Sequence, residues 1–175
     1  MHLYHYVSLD GTATDEYRSD LIGRRKIFFS DPSTFDDALD CNVPGWESAK
    51  RKLIDCRVFC LCMEERDDNL MFALYGDQHR GIRLRFSVNI DLPLGECTHL
   101  ARGRPVEYVR DLPPYDEQRA HMYYFYKSAS WEYQREYRVL MQRAYGNYSE
   151  SELTEIALGL QFDMSYIRKL VDWVS

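Results

Sequence analysis

The sequence predicts an α+β fold, in which one domain of residues 1–175 has a mixed or antiparallel sheet of five or six strands with flanking helices. Three observations indicate this class. Apolar residues recur with period two in several short segments, which is typical of strands, and with helical spacing in others. Some strand segments are joined by short links, which favours α+β over a doubly wound parallel sheet. A chain of 175 residues is also long enough to bury one core without disulfides or metal ions.

The composition limits the classes of partner. The chain carries 22 Lys and Arg against 28 Asp and Glu, which excludes a generally basic nucleic-acid-binding protein but leaves room for a local basic groove. No apolar run approaches the roughly 20 residues that span a bilayer, and the first residues lack the pattern of a signal peptide. We therefore expect a reduced, cytoplasmic protein without membrane attachment. Its cysteines, odd in number and without a regular framework, are Cys41, Cys56, Cys60, Cys62 and Cys97.

The first part of the chain predicts two strands around a short helix. Residues 3–8 form the first strand. Residues 15–22 form the helix, and Gly23 lies where a left-handed helix cap would sit. Residues 26–30 form the second strand, which a following Asp-Pro pair ends with a turn.

The middle of the chain predicts two helices around a buried strand. Helical spacing covers residues 46–54, and residues 57–63 form an apolar strand suited to full burial. Residues 69–79 again have helical spacing, with a glycine just beyond their end. The second helix would place Tyr75 and His79 on one face, because they are four residues apart.

An alternating strand follows. In residues 82–87 apolar side chains alternate with Arg83, Arg85 and a serine, which indicates a half-buried strand with a basic outer face. Residues 87–114 are the least regular part of the chain, and they contain a short strand at 106–109.

The C-terminal part predicts one strand among three helices. Residues 116–130 form the first of these helices, and residues 135–142 form the strand. A helix over 149–158 opens with a capping-box pattern and ends before a glycine. The last helix, 163–174, is amphipathic.

The best candidate for chemistry is the segment KSASWEYQREYRVLMQ. It carries Glu136 and Arg138 on what we expect to be the outward face of a strand, with Lys127 and Trp131 one turn upstream. A carboxylate fixed on a rigid strand beside an arginine can orient a polar ligand and stabilise a developing charge. The alternative is an edge strand that carries an ordinary surface ion pair.

An acidic block raises the alternative of metal chemistry. In a metal-dependent nuclease, Asp36, Asp37 and Asp40 would converge with Glu136 and Lys127 around Mg²⁺. Aspartates also cap turns and helices, and two adjacent aspartates point in different directions in any regular element. A zinc site would need cysteine and histidine pairs at a spacing that this chain lacks. We therefore expect no metal.

Four sequence blocks, in this order, resemble those of a known family. They are LYHYVS, KIFFSDPSTFDDALDC, NLMFALYGDQHRGIRLRF and the pattern K-x-x-x-W-x-x-x-x-E-Y-R. From about Leu3 to the terminal helix, the chain resembles the bacterial and phage family known as domain of unknown function 2971, whose members resemble abortive-infection proteins of the AbiGi type. The residues that carry the resemblance best are Ser30, Pro32, Phe35, Asp37, Tyr75, Asp77, His79, Gly81, Glu136, Tyr137 and Arg138.

The chain departs from the usual pattern of that family at three positions. Ala38 stands where a proline is usual, Phe72 where a tryptophan is usual, and Gln134 where a first glutamate is usual. The change at Gln134 would disable a mechanism that needs two carboxylates on that strand. A mechanism that rests on Glu136 alone would survive.

The order of the blocks is similar to that of ADP-ribosyltransferase-like folds, which implies NAD as a substrate. The resemblance implies that Glu136 takes a ribose hydroxyl and stabilises an oxocarbenium-like transition state as nicotinamide leaves. It also implies that His5 hydrogen-bonds the adenosine ribose. These two residues are the implied catalytic pair. The implied cofactor-binding residues are Tyr4, Tyr6, Ser30, Phe35, Tyr75, His79, Arg83, Lys127 and Arg138.

Within that set, Tyr4 or Tyr6 would stack on a ring, Ser30 and Tyr75 would hold the nicotinamide side, and an arginine, Arg83 or Arg138, would face the pyrophosphate. The two histidines also have simpler structural explanations. A histidine in a Tyr-His-Tyr strand is commonly partly buried and hydrogen-bonded. A histidine at a helix C-terminus, as expected of His79, can interact favourably with the helix dipole.

Two alternatives to catalysis stay open. A binding module would use the basic face of Arg83 and Arg85, with Arg102 and Arg104 nearby, to grip a nucleotide or single-stranded nucleic acid. An interaction protein, for example a phage-encoded inhibitor or decoy, would keep the fold without catalysis, and Gln134 is the residue that supports this alternative. The sequence does not specify the acceptor of a transferase, which is a protein, a nucleic acid or a small molecule.

Overall fold

The computed structural model describes residues 1–9, 15–35, 40–41, 56–63, 68–91, 99–114, 116–149 and 152–175. The helix predicted over 46–54 lies outside these ranges. The strands are β1 (His2–Val7), β2 (Lys26–Phe28), β3 (Arg57–Cys62), β4 (Ile82–Ser87), β5 (Arg104–Pro105), β6 (Glu107–Val109), β7 (Tyr126–Ser128), β8 (Glu136–Met141), β9 (Tyr145–Asn147) and β10 (Leu153–Leu158). The α-helices are α1 (Asp15–Ile22), α2 (Asp68–Tyr75) and α3 (Ile167–Val174), and the 3₁₀ segments are Pro32–Thr34, Leu100–Arg102, Glu117–Phe125, Ala129–Gln134 and Met164–Tyr166.

Six strands form one antiparallel sheet in the order β10-β4-β1-β3-β8-β5. This sheet, with its flanking helices, confirms the predicted α+β class. In its centre Tyr4 lies opposite Cys62, and Cys62 lies opposite Glu136. Two further pairs form outside this sheet, β2 with β9 in antiparallel and β6 with β7 in parallel orientation.

Both faces of the central strands are covered. Alternation along β1 and β4 puts Leu3, Val7 and Leu84 on one face, and there they pack with Leu21 of α1 and Leu170 of α3 in the main core. The opposite face of β1 carries two tyrosines that pack against α2. That second cluster consists of Tyr4, Tyr6, Cys62, Met71 and Phe72.

The three α-helices are short, with eight residues each. None of the helices in the described ranges is long and apolar enough to cross a membrane. Helix α1 has its predicted bounds, but the left-handed cap expected at Gly23 is wrong, because Gly23 does not have a left-handed φ and the positive φ lies at Arg25, at 55°. A Cβ on Gly23 would lie 2.7 Å from the carbonyl oxygen of Trp173. The glycine is therefore needed for close approach of α3.

The prediction that Tyr75 and His79 share a helix face is also wrong. Helix α2 ends at Tyr75, and the next turn is left-handed, with φ of 51° at Asp77, 52° at Gln78 and 69° at His79. The chain reverses here because β4 must begin at residue 82, and the His79 N–H donates to the Phe72 carbonyl at 3.2 Å. The His79 ring stacks on Phe72, with centroids 5.9 Å apart.

The helix predicted over 116–130 is wrong. The chain forms the 3₁₀ segment Glu117–Phe125, then β7, then the 3₁₀ segment Ala129–Gln134. Tyr123, Tyr124 and Phe125 are all buried, although consecutive residues of a helix point around its whole circumference. Strand pairing of β7 with β6 and burial of the three rings therefore outweigh the helical propensity of this segment.

The helix predicted over 149–158 is a strand, β10, that pairs with β4. The capping-box residues do interact, because the Ser149 N–H donates to the Glu152 carboxylate at 2.5 Å. The chain then extends instead of coiling, since the open edge of β4 satisfies the backbone of β10. Gly159 does not cap a helix. A side chain there would overlap the carbonyl oxygen of His79.

Candidate functional site

A cavity of about 410 Å³ lies at the junction of β1 and β3. In the described strands these two pair only at Tyr4 and Cys62, whereas β1 pairs with β4 at six positions and β3 with β8 at six. Because β1 and β3 share so few paired positions, space is left between them. The volume of the cavity is typical of small-molecule sites. The described lining residues are Tyr4, His5, Tyr6, Tyr17, Phe28, Ser30, Thr34, Phe35, Asp40, Val58, Phe59, Cys60, Leu61, Cys62, Met71, Tyr75, Lys127, Trp131, Gln134 and Glu136.

Glu136 and His5 reach this cavity from opposite faces of the sheet. Tyr4, Cys62 and Glu136 lie opposite one another on adjacent strands, so their side chains share a face. His5 follows Tyr4 and therefore points to the other face, where it lies against Phe59 with ring centroids 4.5 Å apart. The two residues predicted to be catalytic thus contact the same space without lying side by side.

Four buried charges form a compact group, which we call the charge cluster, and all of them except Arg138 line the cavity: Asp40, Lys127, Glu136 and Arg138. Strand β8 lies between β3 and β5, so it is not an edge strand and its Glu136 and Arg138 do not face outward as predicted. Arg138 is 0% exposed. The pair is therefore not an ordinary surface ion pair, and the charges must be balanced inside the protein.

Arg138 uses all five of its N–H donors within the protein. It donates to Glu136 through Nε at 2.7 Å and through Nη2 at 3.1 Å, and to Asp40 through Nη1 at 2.8 Å and Nη2 at 2.6 Å. The remaining Nη1 donor bonds the Tyr124 carbonyl at 2.7 Å. Because the guanidinium has five donors in total, none is left for a ligand.

Lys127 completes the charge cluster and reaches the cavity. Its Nζ lies 3.0 Å from Glu136 and 3.1 Å from Asp40. The ammonium group also lies over the Trp131 ring, 5.4 Å from its centroid. Two cations thus balance two carboxylates, and Lys127 is the cation that lines the cavity.

The charge cluster keeps both carboxylates ionised. Burial by itself raises the pKa of Glu136, but Arg138 and Lys127 outweigh this effect and hold the pKa below its ordinary value. The pKa of Asp40 is lowered in the same way, because burial is again outweighed by Arg138 and Lys127. The pKa of Lys127 is raised, because its two carboxylates outweigh its burial. All four groups are therefore charged at neutral pH.

Three charged donors occupy the Glu136 carboxylate. Two come from Arg138 and one comes from Lys127. A carboxylate offers about four lone-pair sites, so one site is left for a ligand hydroxyl. The neighbouring Cys60 helps to lower the pKa of Glu136, whereas burial and the Glu136 charge raise the pKa of Cys60 well above its ordinary value, so this thiol is neutral and a weak donor.

His5 is held as a neutral imidazole. Its Nδ1 lies 3.0 Å from the Cys60 carbonyl oxygen, which can only accept, so Nδ1 carries the proton and Nε2 is an acceptor. Burial lowers the pKa of His5 to about 4. His5 can therefore accept a hydrogen bond from a ligand but is not a proton donor near neutral pH.

Tyr75 and Gln134 form a polar pair in the wall of the cavity. The Gln134 amide donates to the Tyr75 hydroxyl, and Gln134 itself is buried. Burial raises the pKa of Tyr75 to about 12, so its hydroxyl stays protonated and can donate to a ligand. Gln134, noted in the sequence only as a lost glutamate, thus fixes the position of a predicted binding residue.

Of the eleven predicted site residues, eight line the cavity and three do not. Arg138 lies beneath it with no free donor. Arg83 is 4% exposed, lies 5.1 Å from the Tyr4 ring and bonds Glu155 at 2.8 Å. His79 packs on Phe72 in the left-handed turn. The eight that line it are Tyr4, His5, Tyr6, Ser30, Phe35, Tyr75, Lys127 and Glu136.

The two arginines predicted to form a basic outer face on β4 share one carboxylate, and Arg83 is buried. Glu155 of β10 bonds Arg83 at 2.8 Å and Arg85 at 3.0 Å. The sequence missed this pairing because β10 was predicted as a helix. Cys60 was also missed as a site residue, although it alternates with Cys62 along a strand whose neighbour carries Glu136.

Metal chemistry has a weak basis in the described residues, among which no group of three or more His, Cys, Asp or Glu could hold a metal ion. Asp40, Glu136 and Lys127 do converge, as the nuclease alternative required, but Arg138 and Lys127 already occupy the carboxylates. Asp36 and Asp37 lie outside the described ranges.

Chemically, the cavity combines aromatic walls with one ionised carboxylate on a rigid strand. Rings from Tyr4, Tyr6, Phe35 and Trp131 can hold a planar group, and Glu136 can stabilise a positive charge that develops beside it. No protein-family model, no curated protein and no solved structure matches this chain.

Proposed function

We propose that this chain is an ADP-ribosyltransferase-like protein that binds NAD, or a related nucleotide, with its nicotinamide riboside part in the cavity. The observation that carries the proposal is the placement of Glu136. Its carboxylate is buried and ionised, fixed on β8, and lies in the wall of an aromatic cavity. The resemblance to abortive-infection proteins supports a cytoplasmic role in phage–host conflict.

The reaction breaks the bond between the ribose C1′ and the nicotinamide nitrogen. Nicotinamide leaves with the electron pair of that bond, and an oxocarbenium-like centre develops at C1′. The acceptor nucleophile then donates an electron pair to C1′ and loses its proton to solvent. Glu136 stabilises the positive charge electrostatically, an effect that is typically worth about 2.7–4 kcal/mol when the group is removed.

The fourth site of the Glu136 carboxylate can take a ribose hydroxyl. The three donors from Arg138 and Lys127 are charged and strong, whereas the neighbouring Cys60 thiol is neutral and a weak donor. Cys60 also lines the cavity, so a ligand hydroxyl can approach Glu136 in its place without disturbing the charge cluster.

The aromatic walls supply binding rather than chemistry. Tyr4 and Tyr6 lie on the same face as Glu136, and Tyr75 with its fixed hydroxyl lies in the same wall. His5 contributes an acceptor, Nε2, from the opposite face of the sheet. The ligand therefore contacts both faces through the gap between β1 and β3.

The direct test combines calorimetric titration with an assay for nicotinamide release from NAD. The ligands are NAD, ADP-ribose, ATP and GTP, and the variants are Glu136→Gln and, as a matched control, Glu132→Gln, whose carboxylate is exposed. We expect NAD binding by all three proteins and release slowed by roughly 100-fold or more in Glu136→Gln alone. A wild type that binds none of the four ligands would overturn the proposal.

A non-catalytic binding module on the same fold is the second candidate. It is favoured by one observation, the three charged donors on Glu136, which also hold the protein together. In that case NAD or another nucleotide binds in the cavity without release of nicotinamide. The basic face of β4 gives such a module little surface, because Arg83 is buried and Glu155 pairs with both arginines.

A further inference from the structure

A second depression, which we call the basic depression, lies on the β2–β9 pair. Its volume is about 620 Å³. It is lined by Lys26, His99, Arg143 and Tyr145 together with polar and small residues. None of its described lining residues is acidic, although the chain as a whole has a net charge of −6. The depression is therefore a local cationic site on an anionic protein.

The basic depression lies next to the cavity. Phe28 lines the cavity and Tyr145 lines the basic depression, and their ring centroids are 5.5 Å apart. Lys26 and Phe28 are two residues apart on β2, so their side chains project to the same side. Ser30, the next residue in this alternation, lines the cavity as well. One ligand can thus extend from the cavity along β2 into the basic depression.

The basic depression carries one positive charge more than the carboxylates that its cations contact. Lys26 pairs with Asp20 at 2.8 Å, and Arg24, outside the depression, contacts the same carboxylate at 2.9 Å. Arg143 is exposed, and no described residue pairs with it. The cavity differs in this respect, because its cation, Lys127, is shared between two carboxylates. A phosphate group would therefore find an uncompensated positive charge at Arg143 in the basic depression, beside Lys26, and none in the cavity.

Gly146 faces the core beneath the basic depression. It lies opposite the buried Ile27 in the β2–β9 pair, and a Cβ at this position would lie 2.9 Å from the buried Phe29 ring and 3.1 Å from the His99 ring. The glycine therefore allows β9 to pack closely on the core under Lys26 and Tyr145.

We propose that the basic depression binds the phosphate groups of the nucleotide whose nucleoside part occupies the cavity. This inference rests on the proposed function, and it replaces Arg83 and Arg138 as phosphate ligands with Lys26 and Arg143. Arginine and lysine bind phosphate by charge-assisted hydrogen bonds. A single strand of nucleic acid offers the same phosphate chemistry, so the test includes it as a separate arm.

The experiment measures the affinity of three ligands by calorimetry. NAD carries the phosphates, nicotinamide riboside carries the same nucleoside without them, and a single-stranded oligonucleotide carries phosphates without nicotinamide. The variants are Lys26→Ala and Arg143→Ala, with Arg168→Ala on the exposed side of α3 as the matched control. We expect Lys26→Ala and Arg143→Ala each to weaken the affinity for NAD by roughly tenfold or more and to leave the affinity for nicotinamide riboside unchanged.

Three results would overturn the inference, and they are distinguishable. If the wild type binds NAD and nicotinamide riboside but the two variants bind NAD as tightly as the wild type does, the proposed function is retained and the phosphate site is rejected. If the variants lose affinity only for the oligonucleotide, the basic depression binds nucleic acid instead. If the wild type binds neither nucleotide nor nucleoside, the proposed function fails together with this inference.

Discussion

Arg138 donates two hydrogen bonds to Asp40, at 2.8 and 2.6 Å, although the two residues lie 98 positions apart in the sequence. This bidentate pair fixes the described segment 40–41 against strand β8. The same guanidinium holds Glu136, so one buried arginine organises both carboxylates of the site. The geometry of the candidate active carboxylate therefore depends on a long-range contact, and this dependence can be tested by mutation.

Replacement of Arg138 is expected to destabilise the protein strongly. Arg138→Met leaves two buried carboxylates with only Lys127 as a partner, and breaking a buried ion pair typically costs about 3–5 kcal/mol. Denaturant unfolding measures the loss, and Arg110→Met, at an exposed arginine, is the control. A loss below about 1 kcal/mol, the size typical of surface pairs, would show that the charge cluster is not a structural unit.

The carboxylates of the charge cluster predict loss of stability in acid. The pKa of Asp40 is lower in the folded protein than its ordinary value, so its contribution is present above about pH 4 and is lost as pH falls through the folded pKa. The free energy of unfolding of Asp40→Asn should therefore differ most from wild type at neutral pH, and the difference should shrink in acid. Asp15→Asn, at an exposed pair, should show a much smaller difference. A difference that is constant with pH would contradict this prediction.

For His5 we expect a second pH-dependent loss of stability, at higher pH than that of the carboxylates. Its pKa falls from 6.5 to about 4 on folding, so the unfolded chain binds more protons between these values. Stability should fall as pH is lowered from about 6.5 to 4, by on the order of 3 kcal/mol for this group. The free energy of unfolding of His5→Asn should not show this pH dependence, whereas that of His2→Asn, at an exposed histidine, should show it as the wild type does. A His5 resonance that titrates near 6.5 by NMR would refute the buried, neutral imidazole.

Cys60 predicts a graded effect on nucleotide affinity. If the side chain at position 60 competes with a ligand hydroxyl for the fourth site on Glu136, a stronger donor there should weaken ligand binding and a missing donor should strengthen it. We expect Cys60→Ala to bind NAD most tightly, the wild type less tightly and Cys60→Ser least tightly. Each step should change the affinity by roughly two- to tenfold, which corresponds to the free energy of one hydrogen bond. Cys56→Ser, at a cysteine that does not line the cavity, is the control. Equal affinities across the series would exclude this competition.

Local periodicity predicted much of the fold. Helix α1 and strands β1, β3, β4 and β8 lie within about two residues of their predicted bounds, because alternation and helical spacing are local signals. Strand β10 was missed because Ser149 and Glu152 form a capping-box contact, while the choice between helix and strand depends on the distant edge of β4. Tertiary pairing overrides such local preferences.

The site was predicted only in part for the same reason. Glu136, Lys127 and Tyr75 stand in recognisable motifs, and all three line the cavity. The burial of Arg138 could not be foreseen, because it depends on Asp40, far away in the sequence. Nor could the opposite faces of His5 and Glu136 be foreseen, since this placement follows from the register of β1, β3 and β8.

The most direct measurement of the central claim is nicotinamide release from NAD by the purified protein with and without the Glu136 carboxylate. We predict release by the wild type, a rate lower by roughly 100-fold or more in Glu136→Gln, and an unchanged rate in Glu132→Gln, with circular dichroism to confirm that all three are folded. Equal release by folded Glu136→Gln and wild type, or tight NAD binding without any release by the wild type, would contradict a catalytic role for Glu136.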